Sequence, residues 1–476
     1  MIPEAIVRDL NAEQRRAVET VRGPVCILAG AGSGKTTTIT RRIAAQVAVR
    51  AFRPNAILAV TFTDKAAGEM RSRLEMLGVE GVRARTFHSA AAAQLHHLAS
   101  TPPGRILPTK AVALAALARA LPKPYRFRPA GDLATEIEWA KNRRIPLDRY
   151  ADSLGAHRPP IPPDLMTGVW RRYEEGKRQR GLVDFEDLLE LAVRMFEEDV
   201  DALERLQARY HAFTVDEYQD VNLLQQTLLE RWVGERDDLC VVGDDHQSIY
   251  SFTGASPEPL LRMPSMWART KVIKLETNYR STPQVLDVAN KLAPSLGGRT
   301  KKLRALGAAG PPVERRGFGS AADEIAHLVR RVETLHRRDE IAFEDMAVLY
   351  RANHRSEDYE EALSGAEVPF VVREGGFLQR PAARRLLAAF RRSGHVDVAR
   401  RVRAAAERDG WSEDAGDGVG ERELTRQRDL ARLVRLAQEL DDGNRTLAAF
   451  VAAVEERFGA QGEARGVNLL TLHRSK

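Results

Sequence analysis

Five short apolar runs recur along the chain: Val25–Leu28, Ala56–Val60, Phe213–Val215, Leu239–Val242 and Val272–Leu275. Each ends in polar or Gly-rich residues. Brief apolar runs bounded by turns are what strands buried on both faces look like. Helix-like segments lie between them, so the pattern predicts βαβ units and a parallel, doubly wound sheet. Between residues 89 and 204 the rhythm becomes Ala/Leu/Arg-rich and helical, broken at Pro102-Pro103, Pro122 to Pro129 and Pro159 to Pro163. That stretch is expected to be a helical insertion. Strand-like pieces return at Val313–Gly317 and Met346–Leu349. A charge-dense helical stretch follows over 382–462, with a loop at Asp414–Gly420, and then a last strand, Val467–Leu472. The expected plan is two α/β domains, each carrying a helical insertion: 1–88 with 205–280, interrupted by 89–204, and 281–381 with 463–476, interrupted by 382–462. No internal repeat of 20–50 residues is visible.

Composition narrows the class only a little. A chain of 476 residues suits about three compact domains. No run approaches the roughly 20 apolar residues that cross a bilayer. The opening residues carry Glu4, Arg8 and Asp9, unlike a signal peptide, so cytoplasm is the expected compartment. The two cysteines, Cys26 and Cys240, lie in strand-like runs and read as buried thiols. No Cys/His cluster offers a zinc site, and no carboxylate motif accompanies His88, His96 and His97. The net charge of +7 and pI near 9.4 suit a polyanion partner, and equally an Arg-rich solvated surface.

The first run leads into Ala29-Gly30-Ala31-Gly32-Ser33-Gly34-Lys35-Thr36, followed by a helical segment from Thr37. Glycines at alternate positions let backbone N–H groups converge on an anion, and the helix N-terminus adds partial positive charge. Lys35 is expected to reach the β- and γ-phosphates of ATP, and the Thr36 hydroxyl to coordinate Mg²⁺. Such a loop needs a carboxylate at a neighbouring strand tip, which Asp216-Glu217 supplies. Asp216 is the expected Mg²⁺ partner, and Glu217 the base that orients and deprotonates water. A kinase needs an acceptor where this acidic pair favours water, so the reading is NTP hydrolysis.

These elements and several further motifs resemble the UvrD/PcrA/Rep family of superfamily-one DNA helicases. Leu10 to Gln14 resembles its Q motif, which implies that Gln14 reads adenine. Ala59 to Ala67 is similar to motif Ia, implying that Thr61 and Phe62 face DNA. Arg85 to Ser89 is similar to motif Ib, with Thr86 and His88 as DNA contacts. GLVDFEDLL, Gly181 to Leu189, implies that Phe185 stacks on a base. Val242 to Phe252 resembles motif III: Gln247 would sense the γ-phosphate, and Tyr250 and Phe252 would stack on bases. Asn278 to Ser281 resembles motif IV, implying adenine stacking by Tyr279 and an arginine finger at Arg280. Ala347 to Leu363 and Gly375-Gly376-Phe377 look like the second motor domain.

The resemblance implies two RecA-like P-loop NTPase domains with parallel sheets, ATP and Mg²⁺ bound between them, and 3′→5′ movement on single-stranded DNA and its junctions with duplex. DNA repair is the first expectation for the pathway, and kinship with an actinobacterial second UvrD paralogue stays open. Thr37, Asp64 and His246 depart from the family's usual residues, and the second insertion is short and lacks a Gly-rich duplex-gripping motif. Val467 to Lys476 resembles the start of motif V, and motif VI is not found. The expectation is a truncated second domain and impaired motor activity. A non-unwinding ATP-switched DNA-binding protein and a helicase–nuclease subunit remain alternatives.

Overall fold

The computed structural model describes residues 2–123, 125–372, 377–413, 421–459 and 465–476. The loop expected at Asp414–Gly420 and the pair Gly375-Gly376 lie outside the described residues. The chain divides into two compact units, residues 1–117 with 133–314, and residues 118–132 with 315–476.

The first unit is built on six parallel strands: β1 (Val25–Ala29), β2 (Ile57–Thr61), β3 (Arg83–Thr86), β4 (Ala212–Val215), β5 (Leu239–Gly243) and β6 (Lys271–Leu275). Their order across the sheet is β3-β2-β4-β5-β1-β6. Alternate residues of a strand point to opposite faces, and the packing follows that rule. Val25, Ile27, Ile57, Ala59, Cys240 and Val242 enter one core with helices Ala12–Glu19, Lys35–Ala48 and Asp64–Met76. Cys26, Leu28, Leu58, Val60, Phe213 and Val241 enter the other with Phe87–Leu98, Phe185–Glu198 and Leu223–Val233. Coverage on both faces explains why β1, β2, β4 and β5 are buried at every residue. All the strands run the same way, so every carboxyl end opens on one edge of the sheet, where open α/β sheets hold their ligands.

Strand β3, reading Arg-Ala-Arg-Thr, lies at one edge. Residues 89–204 are largely helical, and ion pairs shielded from solvent pin part of the stretch. Lys177 reaches Asp184 at 2.8 Å and Asp187 at 2.5 Å, and Lys141 reaches the same two carboxylates at 2.8 and 2.7 Å. The first unit continues to Glu314, past the boundary expected at 280. Thr277–Asn278 pairs in parallel with Arg304–Ala305, and Lys301 is buried against Asp244 and Asp245.

The second unit holds a three-stranded parallel sheet of β7 (Ala347–Tyr350), β8 (Phe370–Val372) and β9 (Val467–Thr471), in the order β7-β9-β8. Helices Pro381–Phe390, Val398–Arg408, Glu421–Leu440 and Leu447–Gly459 form its helical part around an apolar core containing Phe377 and Phe450. Arg380 ties that part to helix Ser356–Gly365, reaching Glu357 at 3.0 Å and Asp429 at 2.8 Å. The strand expected at Val313–Gly317 does not form. Those residues are exposed and irregular.

Candidate functional site

The phosphate loop follows β1 as the glycine spacing requires. Gly32 and Gly34 adopt left-handed φ of 65° and 79°, where a Cβ is penalised. Neighbours also crowd the loop. A Cβ on Gly34 would lie 2.6 Å from Gln14 Nε2, and one on Gly32 would lie 2.7 Å from the Arg280 Cβ. Gly34 caps helix Lys35–Ala48 without a side-chain bond, so the first-turn N–H groups remain for a ligand. The Thr36 hydroxyl makes no hydrogen bond among the described residues, and Thr37 is half-buried beside it. An uncapped helix start, a loop that excludes Cβ atoms and an uncommitted hydroxyl fit a nucleotide's phosphates with Mg²⁺.

The Lys35 ammonium lies 3.2 Å from Glu217, with both side chains largely shielded. Glu217 itself is held at φ 50°, a left-handed conformation costing a non-glycine residue about 1–3 kcal/mol. That conformation lets its backbone N–H donate to the Asp216 carboxylate at 2.9 Å. Asp216 is buried, and burial together with the Glu217 charge pushes its carboxyl up to about 6. A carboxylate kept short of counter-charge is a ready acceptor for a divalent cation.

Gln14 is buried, and its amide donates to the Ser33 carbonyl at 3.0 Å. The Tyr279 hydroxyl accepts from Asn11 at 2.8 Å and donates to Gln14 at 3.5 Å, while its ring stays exposed. The Tyr279 N–H donates to Gly32 O at 2.9 Å, and Asn278 Nδ2 donates to Ala31 O at 2.6 Å. Arg280 is exposed, and its guanidinium makes no ion pair among the described residues. Gln247 sits half-buried in the turn Asp245–Gln247 beyond β5. The first unit therefore gathers Gln14, Ala29 to Thr37, Asp216, Glu217, Gln247, Tyr279 and Arg280 on the carboxyl edge of one sheet.

Aromatic side chains occupy the same edge, Phe62 and Phe252 exposed and Tyr250 half-buried. Phe62 and Tyr250 stack with centroids 4.9 Å apart, and Tyr250 lies 6.1 Å from Phe252. Phe62 and Phe252 are 40% and 46% exposed, too open for core residues. Phe185 is also exposed and meets His88 edge-on at 5.7 Å. Burial, and after it the Lys110 charge, lowers His88 to about 4, so it is neutral near pH 7. Thr61 and Thr86 sit differently. Both are buried: the Thr61 hydroxyl donates to Thr63 O at 3.0 Å, and the Thr86 hydroxyl caps helix Phe87–Leu98.

Residues 10–267 match the model of the UvrD/REP helicase N-terminal domain, and residues 273–395 that of the UvrD-like helicase C-terminal domain. The chain belongs to the UvrD/Rep helicase family. Its α/β architecture is accordingly RecA-like. It is 41% identical over 418 residues to the ATP-dependent DNA helicase UvrD2 of Mycobacterium tuberculosis, an alignment covering 83% of this chain and 59% of that relative. It is 32% identical over 399 residues to the ATP-dependent DNA helicase PcrA of Staphylococcus epidermidis, covering 81% and 54%. The chain thus spans less than two thirds of the length of these relatives.

The three departures from the UvrD/Rep pattern have local explanations. Thr37 receives a bond from Arg73 Nη1 at 3.3 Å, so a guanidinium from the next helix stands beside the position where a basic residue is usual. Asp64 opens helix Asp64–Met76, where an acid favours the helix dipole. His246 Nε2 lies 2.9 Å from Gly297 O, a bond that an N–H donates and an ionised acid at this position would oppose. Sequence reasoning missed Gln219 and Lys301, both buried against motif residues. For Gln219 the available signal was a polar residue directly behind the acidic pair; Lys301 had none.

Proposed function

We propose that this chain is the ATP-hydrolysing, DNA-gripping part of a motor that moves along single-stranded DNA. The observation that carries this is the 3.2 Å pair between Lys35 and Glu217, set in a phosphate loop that Gln14, Asn278 and Arg280 hem in. ATP is the substrate class because Gln14 and the exposed Tyr279 ring flank the loop with an amide edge and an aromatic face. Thr36 and Asp216 would hold Mg²⁺, which would offset charge on the phosphates.

The residues divide the work by charge. Lys35 exchanges its Glu217 partner for a phosphate oxygen, and the released carboxylate takes the proton of an attacking water. Arg280, which makes no ion pair among the described residues, supplies positive charge as negative charge builds on the transferred group. Phe62, Tyr250 and Phe252, with Phe185 beyond them, offer π-faces to successive bases in any sequence. Single strands and their junctions with duplex are the proposed partners, 3′→5′ the proposed direction and DNA repair the proposed setting, all on family grounds.

The test is phosphate release by the 476-residue chain with Mg²⁺, with and without a single-stranded oligonucleotide. Hydrolysis that rises with the oligonucleotide and vanishes in Lys35→Ala is the expected result. Hydrolysis that ignores both changes would remove the proposal.

A further inference from the structure

We infer that Gln219 is a positioning residue that ties the Glu217 carboxylate to the aromatic loop beyond β5, so that strand occupancy reaches the hydrolytic group through one buried amide. This rests on the proposed roles of Glu217 in hydrolysis and of Tyr250 in gripping bases.

Gln219 is fully buried, in the short turn Tyr218–Asp220 that follows the acidic pair. Its side-chain nitrogen donates to Glu217 Oε2 at 2.5 Å and to Asp220 Oδ2 at 3.2 Å. Its side-chain oxygen accepts the backbone N–H of Asp244 at 2.9 Å, and its backbone carbonyl accepts the Ser248 hydroxyl at 3.0 Å. One residue therefore bonds the catalytic candidate on one side and, on the other, both ends of the segment from Asp244 to Ser248.

The fit around this amide is close. A Cβ on Gly243 would run into the Gln219 oxygen and would lie 2.9 Å from Leu260. The far side of the segment is fixed as well: Lys301 is buried between Asp244 and Asp245, and the Arg299 N–H donates to Asp245 at 2.7 Å. Two residues beyond Ser248, Tyr250 stacks on Phe62. A base displacing or joining that stack pulls on Ser248 and Asp244, and both pull on Gln219. Protein interiors transmit such shifts because they are packed like solids. The donor on Glu217 then moves, changing how tightly that carboxylate is held back from water.

A buried glutamine that only satisfies its neighbours would also be costly to remove, so loss of activity alone decides nothing. The informative quantity is the ratio of DNA-stimulated to basal kcat in Gln219→Met, which keeps the volume and loses the amide. The expected result is a fall in that ratio of at least ~10-fold, about 1.4 kcal/mol of coupling, with KM for ATP within about threefold of the parent. Ser248→Ala, which severs the second link without touching the buried side chain, should lower the ratio by a smaller factor. It also serves if Gln219→Met fails to fold.

A binding arm needs no turnover. A non-hydrolysable ATP analogue should change the affinity of the parent for an oligodeoxythymidylate, and that factor should approach one in the variants. Equal loss of basal and stimulated kcat, or an unchanged ratio in both variants, would overturn the inference. So would a parent chain whose nucleotide and strand affinities are independent. ATP hydrolysis by the parent, read in the same assay, judges the proposed ATPase separately.

Discussion

Replacing Glu217 by Gln removes the proposed base while leaving its shape. A positioned general base is worth about 10²–10⁴ in rate, so kcat for ATP should fall by that factor. Binding should move the other way. Lys35 now spends its charge on Glu217 at 3.2 Å, and a nucleotide must displace that contact. A hydrogen bond to a charged group contributes about 1.5–3 kcal/mol. The carboxylate is 28% exposed, which screens the pair and brings its worth to about 1 kcal/mol. Freeing Lys35 should therefore tighten ATP by roughly fivefold. Phosphate release gives the first number, and titration with a fluorescent ATP analogue gives the second. Turnover within threefold of the parent would mean that Glu217 is not the base. Weaker nucleotide binding would mean that the Lys35–Glu217 pair does not compete with phosphate.

Tyr250→Ala removes one face of the stack with Phe62 and should weaken single-strand binding by about 1–3 kcal/mol, measured by fluorescence anisotropy; unchanged affinity would place the strand elsewhere. Strand affinity should fall steeply and log-linearly with salt, and a flat response would contradict phosphate-led binding. Asp216, raised to about 6 in the fold, binds its proton more tightly folded than unfolded, so its ionisation costs stability as pH rises through 4 to 6. Asp216→Asn should accordingly raise the unfolding free energy at pH 8 without Mg²⁺ by on the order of 2–3 kcal/mol, read by denaturant titration. The gain should vanish below pH 4, where the parent carboxyl is neutral in both states. A gain that persists there would assign the effect to packing.

Much of the first unit was legible because its strands are buried on both faces. The runs at 25, 56, 213, 239 and 272 came out within a residue of the strands. Strand β3 was not legible: Arg83 and Arg85 interrupt its apolar pattern, as an edge strand permits. The strand expected at Val313–Gly317 does not form: the segment carries one apolar side chain beside Glu314, Arg315 and Arg316, and all five residues are exposed. The phosphate loop and acidic pair were legible because phosphate chemistry fixes their spacing. Gln219 and Lys301 were not, because their roles come from contacts with residues 25 and 57 positions away. Buried lysines are also too rare for sequence to announce. Thr61 and Thr86 show a further limit: a motif places a residue at a strand end without saying which way its hydroxyl turns.

The most direct measurement is a structure of the chain with Mg²⁺ and a non-hydrolysable ATP analogue. The predicted result has Lys35 withdrawn from Glu217 onto the terminal phosphate, Thr36 and Asp216 on the metal side, Tyr279 against adenine and Arg280 turned inward. Nucleotide bound away from the Gly30–Thr36 loop, or Lys35 still engaged with Glu217 beneath it, would contradict the account.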